Sequence, residues 1–304
     1  MSFLPQEVCP RKEQLKKVRL GMADKKKVKP GIYPNVPFGE YIQWPAINNS
    51  LLRIIDIQSA AHAKAHKDNP PPPSKAFREG QIFHALVLEP MEFDSRYAIA
   101  PAVDRRTTAG KQAWKEFEAA AGGKQVVAEE EYQSCLKMAE AVREHRAAWN
   151  LLRFGKPEIC IIWQDPLTGL MCKARLDYVH LENRVIVDLK STRDASPDAF
   201  SKAIWNYGYH QQAAFYLDGL GTLLGDMAEF VFVAVEKEEP FAVACYRAAS
   251  DILTMGVGAY RRSLQIYKEC VVSGVWPAYS QEVELITLPR WAQSAEMLAE
   301  RYEL

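Results

Sequence analysis

Between Glu158 and Lys190 the hydrophobic pattern changes period, and this stretch constrains the fold more than any other. Glu158 to Gln164 centres on Ile-Cys-Ile-Ile-Trp, a β-rich run suited to a buried strand. Asp165-Pro-Leu-Thr-Gly169 reads as a turn, Leu170 to His180 as a second strand, Glu182-Asn183 as a second turn and Arg184 to Lys190 as a third strand. Turns this short join neighbours, so the spacing predicts an antiparallel meander.

Helical patterning lies on both sides of the meander. Asn48-Asn-Ser50 opens a helix that fades near His66, and Asp68-Asn-Pro-Pro-Pro-Pro73 ends it. A second helix runs from about Ser74 to Leu88, with Gly80 at its middle. Glycine there costs about 1 kcal/mol relative to alanine, which predicts a close approach by another element. Tyr97–Ala100 reads as a short strand, and residues 111–121 and 129–152 as helices. After the meander, Ser196 and Pro197 suit the first positions of a helix reaching Leu217. Glu229–Val235 and Phe241–Arg247 read as a strand pair, followed by a long helix over 250–272 and a last one from Pro289. This order predicts one α/β domain over residues 46–304, with its core at about 155–250. Its centre is a mixed β-sheet flanked by helices, with a helical N-terminal elaboration.

Residues 1–45 read as a separate arm. Positions 11–29 hold nine Lys or Arg against Glu13 and Asp24, either a solvated tail or a sequence-blind phosphate contact. Residues 30–45 mix Pro30, Pro34, Pro37 and Pro45 with Tyr33, Phe38, Tyr41 and Trp44, an irregular segment anchored by aromatics. Across the chain 38 basic residues balance 38 acidic ones, so net charge argues neither for nor against nucleic acid. The six cysteines, at 9, 135, 160, 172, 245 and 270, form no CxxC pair, and several lie in apolar runs. They read as free thiols of a reducing, cytoplasmic compartment rather than as zinc or iron–sulfur ligands. With no signal-peptide core and no 18-residue apolar run, no membrane partner is expected.

The chemistry concentrates between Lys173 and Tyr216. Strand side chains alternate faces, so Val185, Val187 and Leu189 share one side while Ile186, Asp188 and Lys190 share the other. In the preceding strand Lys173, Arg175 and Asp177 share a face. Pairing through the turn near residue 182 would bring Asp177 towards Asp188. Two carboxylates so placed repel unless a cation lies between them. Oxygen ligands favour Mg²⁺ or Mn²⁺. Beside such a metal, Lys190 could orient or deprotonate a water, or stabilise charge on a phosphate. These parts suit phosphodiester hydrolysis. An isolated Asp-x-Lys is usually a surface ion pair worth little; here it is part of a set.

That set, Asp177…Asp188-Leu-Lys190 followed by Gln212-Ala-Ala-Phe-Tyr216, resembles the PD-(D/E)xK nucleases of the RecB-like branch. Positions 212 and 216 lie on one helix face. Tyr207-Gly-Tyr-His-Gln-Gln-Ala-Ala-Phe-Tyr, with Gly80-Gln-Ile-Phe-His84-Ala-Leu-Val-Leu-Glu-Pro90 upstream, is similar to the C-terminal nuclease domain of exonuclease VIII (RecE-type) proteins, over roughly residues 45–275. The resemblance implies that His84, Asp177, Asp188 and the Leu189 carbonyl bind Mg²⁺, with Mn²⁺ able to substitute, and that Lys190 is the catalytic lysine. Gln212 and Tyr216 would support the site or touch DNA, unless they only pack helix on sheet; Thr192 follows the lysine as is common in the family. Lys173 and Arg175, on the Asp177 face, could meet phosphates, as could Arg105-Arg106, Lys111 and Arg261-Arg262. The implied activity is a 5′→3′ exonuclease on double-stranded DNA ends. It would leave 3′ single strands for a single-strand annealing protein and work as a homo-oligomeric ring. An endonuclease or single-strand nuclease of the same superfamily, and a non-catalytic DNA-binding scaffold, are the alternatives. Relatives with an iron–sulfur cluster need a C-terminal cysteine group, and only Cys270 is available here.

Overall fold

A computed structural model of the chain describes residues 28–225 and 229–289. Most of the basic run, Cys9 and the helix expected from Pro289 lie outside these residues. The first elements are β1 (Gly31–Tyr33), α1 (Phe38–Gln43), α2 (Asn49–Ile57), α3 (Ala60–Asp68) and α4 (Lys75–Leu88). A short helical turn, α5 (Phe93–Arg96), leads into β2 (Tyr97–Ile99), α6 (Thr108–Ala121), β3 (Gln125–Val127), α7 (Glu129–Glu144) and α8 (Arg146–Leu151). The meander is β4 (Lys156–Gln164), β5 (Met171–His180) and β6 (Val185–Thr192). Then come α9 (Pro197–Tyr207), α10 (Tyr209–Leu224), β7 (Glu229–Glu236), β8 (Val243–Arg247) and α11 (Ser250–Ser273).

Among the described residues six strands form one mixed sheet in the order β1-β4-β5-β6-β7-β8, within which only β6 and β7 pair in parallel. Period-2 alternation decides which side chains face which layer. Ile186, Phe230, Phe232 and Ala234 pack with Leu52, Phe200, Phe215, Tyr260 and Leu264 beneath α2, α9, α10 and α11. Val187, Leu189, Val233 and Val235 turn the other way, onto Ile82, Phe83, Leu86, Met138 and Val142 of α4 and α7. Helices therefore cover both faces, the α/β arrangement expected. α11 packs closely on α10 at Gly256, where any Cβ would stand 2.1 Å from the His210 carbonyl. Among the described residues no helix is long and apolar enough to cross a membrane. The five described cysteines are free, and burial pushes the Cys160 thiol up to about 11.

Several expected helices are divided, each at a local capping signal. The helix over 51–66 breaks before Ser59, whose hydroxyl accepts the His62 N–H and starts α3. The helix over 129–152 breaks at His145, whose ring nitrogen accepts the Ala148 N–H. The helix over 196–217 breaks at Gly208, in the left-handed region at φ +72°; a Cβ there would meet the Arg53 guanidinium at 2.5 Å. Ser196 occupies the N-cap position but makes no side-chain cap. The close approach expected at Gly80 is absent, since a Cβ there would meet open space.

Residues 30–45, expected as an irregular segment anchored by aromatics, instead hold an edge strand of the sheet and a short helix packed over it. β1 pairs antiparallel with β4, and α1 lies over the β4–β5 surface. Lys173 explains why. Its ammonium is buried, 4% exposed, and donates to the carbonyls of Tyr41, Ile42 and Trp44 at 2.9, 3.0 and 2.8 Å. They lie at the end of α1, where carbonyls outnumber the backbone donors; the Tyr41 and Trp44 carbonyls also accept the Trp44 and Ala46 N–H groups. Burial pulls the Lys173 amine down to about 8, while three acceptors match the three donors of an ammonium. Arg175 adds a 3.1 Å bond to the Val36 carbonyl and an ion pair with Glu158. Lys173 is therefore not a phosphate contact: it holds α1 on the sheet. Lys173→Met should remove one charged bond from each of three carbonyls, leaving that of Ile42 without its side-chain donor, and cost about 2–4 kcal/mol of stability; unchanged urea denaturation would refute this role.

Candidate active site

The site forms where β5 and β6 part. Their ladder runs through Tyr178–Val187, Val179–Ile186 and His180–Val185 and stops there. Beyond it the Leu189 N–H has no β5 carbonyl to meet, and the Asp177 carboxylate accepts it at 2.9 Å. Side-chain alternation also breaks across Asp177: Leu176 faces one core and Tyr178 the other. The β4 neighbour at this level is Glu158, at φ +51°.

The Leu189 carbonyl is met by the imidazole of His84, from the middle of α4, with Nε2 at 3.0 Å. His84 Nδ1 lies 3.7 Å from Asp177 Oδ1, longer than a hydrogen bond. Asp188 is 1% exposed. Its Oδ1 accepts from Gln212 Nε2 at 3.0 Å, and its Oδ2 ion-pairs with Lys190 Nζ. Burial pushes the Asp188 carboxyl up to about 6; Lys190 opposes this and the charge of Asp177 adds to it. Burial alone would lower Lys190, but Asp188 and Asp177 more than reverse it and hold the amine above its ordinary value. Tyr216, one turn after Gln212, hydrogen-bonds Gln212 and faces both carboxylates; burial raises its phenol well above the usual range. The elements thus bring His84, Asp177, Asp188, Leu189, Lys190, Gln212 and Tyr216 into one place.

The remaining residues expected at the site are placed differently. Thr192 donates to the Asp194 carbonyl and shapes the loop after β6. Arg175 reaches the cleft wall but is paired with Glu158. Arg106 pairs with Asp104, Arg105 packs on Trp114, and Arg261 joins Asp165 to Asp218. Thr192 and Arg175 line the cleft, whereas Arg105, Arg106, Lys111, Arg261 and Arg262 do not.

A divalent cation fits the donor chemistry. One imidazole, two carboxylates and a backbone carbonyl converge, and the Asp188 Oδ2 accepts no well-formed hydrogen bond despite touching Lys190. Among the described residues no three His, Cys, Asp or Glu side chains already surround one point. The donor chemistry weighs more, because two carboxylates facing a buried site need more positive charge than one ammonium.

The site floors an open cleft of about 1810 Å³. One wall is α9, whose Ala199, Lys202, Ala203 and Asn206 recur at helical spacing, continued by Tyr207 and Tyr209. Arg193 and Lys202 are exposed on this side and have no charged or hydrogen-bonding partner among the described residues. Sequence reasoning missed this wall; the helical spacing of 199, 202, 203 and 206 was its only signal.

Comparisons with known proteins agree with this architecture. A candidate exonuclease of Eubacterium rectale is 13% identical with a TM-score of 0.53, covering 82% of this chain and 93% of its own, which shows a shared fold. A phage-related exonuclease from Haemophilus somnus is 10% identical over 76% of this chain and 96% of its own, but at a TM-score of 0.34 it carries no argument. No curated protein matches the chain significantly by sequence. Residues 50–289 match a family described as a PDDEXK-like domain of unknown function, DUF3799. The match covers most of the 304 residues, so the chain belongs to that PDDEXK-like family.

Proposed function

We propose that this protein is a Mg²⁺-dependent DNA exonuclease that hydrolyses phosphodiesters at duplex ends. The observation that carries the reading is the convergence of His84, Asp177 and Lys190 on the floor of a cleft with a basic wall, with Asp188 buried behind Lys190. His84, Asp177, Asp188 and the Leu189 carbonyl would hold Mg²⁺, or Mn²⁺ in its place. When bound, the metal supplies Lewis-acid polarisation of the phosphate and an activated water. The chain's own groups do the rest. Lys190, an ammonium on Asp188, faces the cleft and stabilises negative charge gathering on the phosphate. Gln212 holds Asp188 in place, and Asp177 holds the β6 backbone that carries both Asp188 and Lys190. Arg193 and Lys202 offer sequence-blind contacts to a phosphate backbone.

The 5′→3′ polarity, the 3′ single strands and the annealing partner rest on the resemblance to exonuclease VIII. The ring rests on it too, with one observation beside it. Val283, Leu285 and Ile286, in the segment after α11, are 91–104% exposed and would be covered by self-association.

End-labelled linear duplex in Mg²⁺ should be digested by the wild type, while Lys190→Ala loses about 10²–10³-fold in rate, the size of a lost transition-state contact. Closed-circular duplex should survive. Equal digestion by both proteins would refute the assigned site, and cutting of the circle would favour the endonuclease. A double Arg193→Ala, Lys202→Ala variant should bind duplexes of every sequence more weakly and lower the salt slope by about 1–2; an unchanged slope would remove α9 from the DNA path.

A further inference from the structure

Lys190 is held from two sides. Its Nζ ion-pairs with Asp188 and lies 4.8 Å from the ring centroid of Tyr209. A lysine ammonium on a flexible four-carbon stem can swing around a single carboxylate partner. A second contact from another direction removes that freedom, and an aromatic face gives one through its quadrupole. Tyr209 is built to present that face. It is the first residue of α10, directly after the left-handed turn at Gly208, and that turn is packed against Arg53. Phe200 and Phe232, both at 6.4 Å, and Tyr207 at 5.7 Å brace the ring from other sides. Among the described residues the Tyr209 hydroxyl has no hydrogen-bond partner, while its ring contacts Lys190.

We propose that Tyr209 is a positioning residue, whose ring face, rather than its hydroxyl, fixes the Lys190 ammonium between Asp188 and the cleft. Its effect on turnover rests on the reading of Lys190 given above; its hold on the ammonium does not. Tyr209 also lines the cleft, so the competing role is a surface on which a nucleobase stacks. The two differ in what they change. A positioning ring acts on the reacting step, and a stacking surface acts on binding.

The test compares Tyr209→Phe, which keeps the ring, with Tyr209→Leu, which removes it. On end-labelled duplex in Mg²⁺, Tyr209→Leu should lose about 10-fold in kcat with KM within about 2-fold, and Tyr209→Phe should restore kcat to within about 2-fold. Equal kcat in all three, a rise in KM alone, or a Phe variant as defective as the Leu variant would each overturn the proposal. Thermal unfolding checks the fold of each variant, and Tyr209→Met replaces Tyr209→Leu should the latter not fold. A second readout needs no catalysis. The Lys190 ε-CH₂ protons should show an upfield ring-current NMR shift in the wild type and Tyr209→Phe, lost in Tyr209→Leu. Absence of that shift in the wild type would overturn the proposal even in an active enzyme. Wild-type protein that has the shift but no nuclease activity would leave the positioning contact standing and sink the proposed function instead.

Discussion

At Asp177 the β5–β6 ladder ends, and a carboxylate takes the Leu189 N–H that a neighbouring strand would otherwise have taken. The rest of the site depends on this exchange. It ties Asp177 to the backbone between Asp188 and Lys190, so the first carboxylate cannot move independently of the second. It also leaves the Leu189 carbonyl side of β6 open to His84, which arrives from α4 on the opposite layer. Ordinary pairing here would have hidden the backbone of β6 and kept the two carboxylates in separate rows. Parting the strands gathers groups of like charge, and the surrounding residues answer that charge: Lys190 ion-pairs with Asp188, and Gln212 donates to its other oxygen.

The topology explains why the support comes from α10. β6 and β7 are parallel neighbours, so the chain must cross over between them, and α9 and α10 fill that crossover. A crossover leaves from the carboxyl end of the first strand, where α/β sheets commonly bind ligands. Gln212 and Tyr216 therefore face the strand end that carries Asp188 and Lys190. The left-handed break at Gly208 turns one expected helix into two and places Tyr209 at the mouth of the second. A uniform helix would have carried residue 209 elsewhere.

Much of this was legible in the sequence, for reasons that also show where reading stopped. Alternation in β6 correctly separated Val187 and Leu189 from Asp188 and Lys190, because a strand buried on both faces keeps a strict period of two. The same rule put Lys173 and Arg175 on one face with Asp177, but periodicity gives direction and not depth. What covers that face is the segment at 36–44, more than a hundred residues away in the chain, and it converts two expected phosphate contacts into anchors. β1 was missed because three residues carry too little pattern to read, and its pairing with β4 is supplied by tertiary context. The helix breaks at Ser59 and His145 were invisible to hydrophobic spacing, which continues across both; only their side-chain caps mark them. Gly80 suggested crowding and instead opens onto the cleft, so a glycine in a helix signalled space left free rather than space taken.

The central claim is that Asp177, Asp188 and His84 form one metal centre. Electron paramagnetic resonance of Mn²⁺ titrated into the protein tests it without relying on any nuclease assay. Wild-type protein should cause saturable loss of the free-ion signal, with affinity at least about 10-fold weaker in Asp188→Asn and in His84→Ala. Wild-type protein that leaves the free Mn²⁺ signal unchanged, or variants that bind as tightly as it does, would contradict the account.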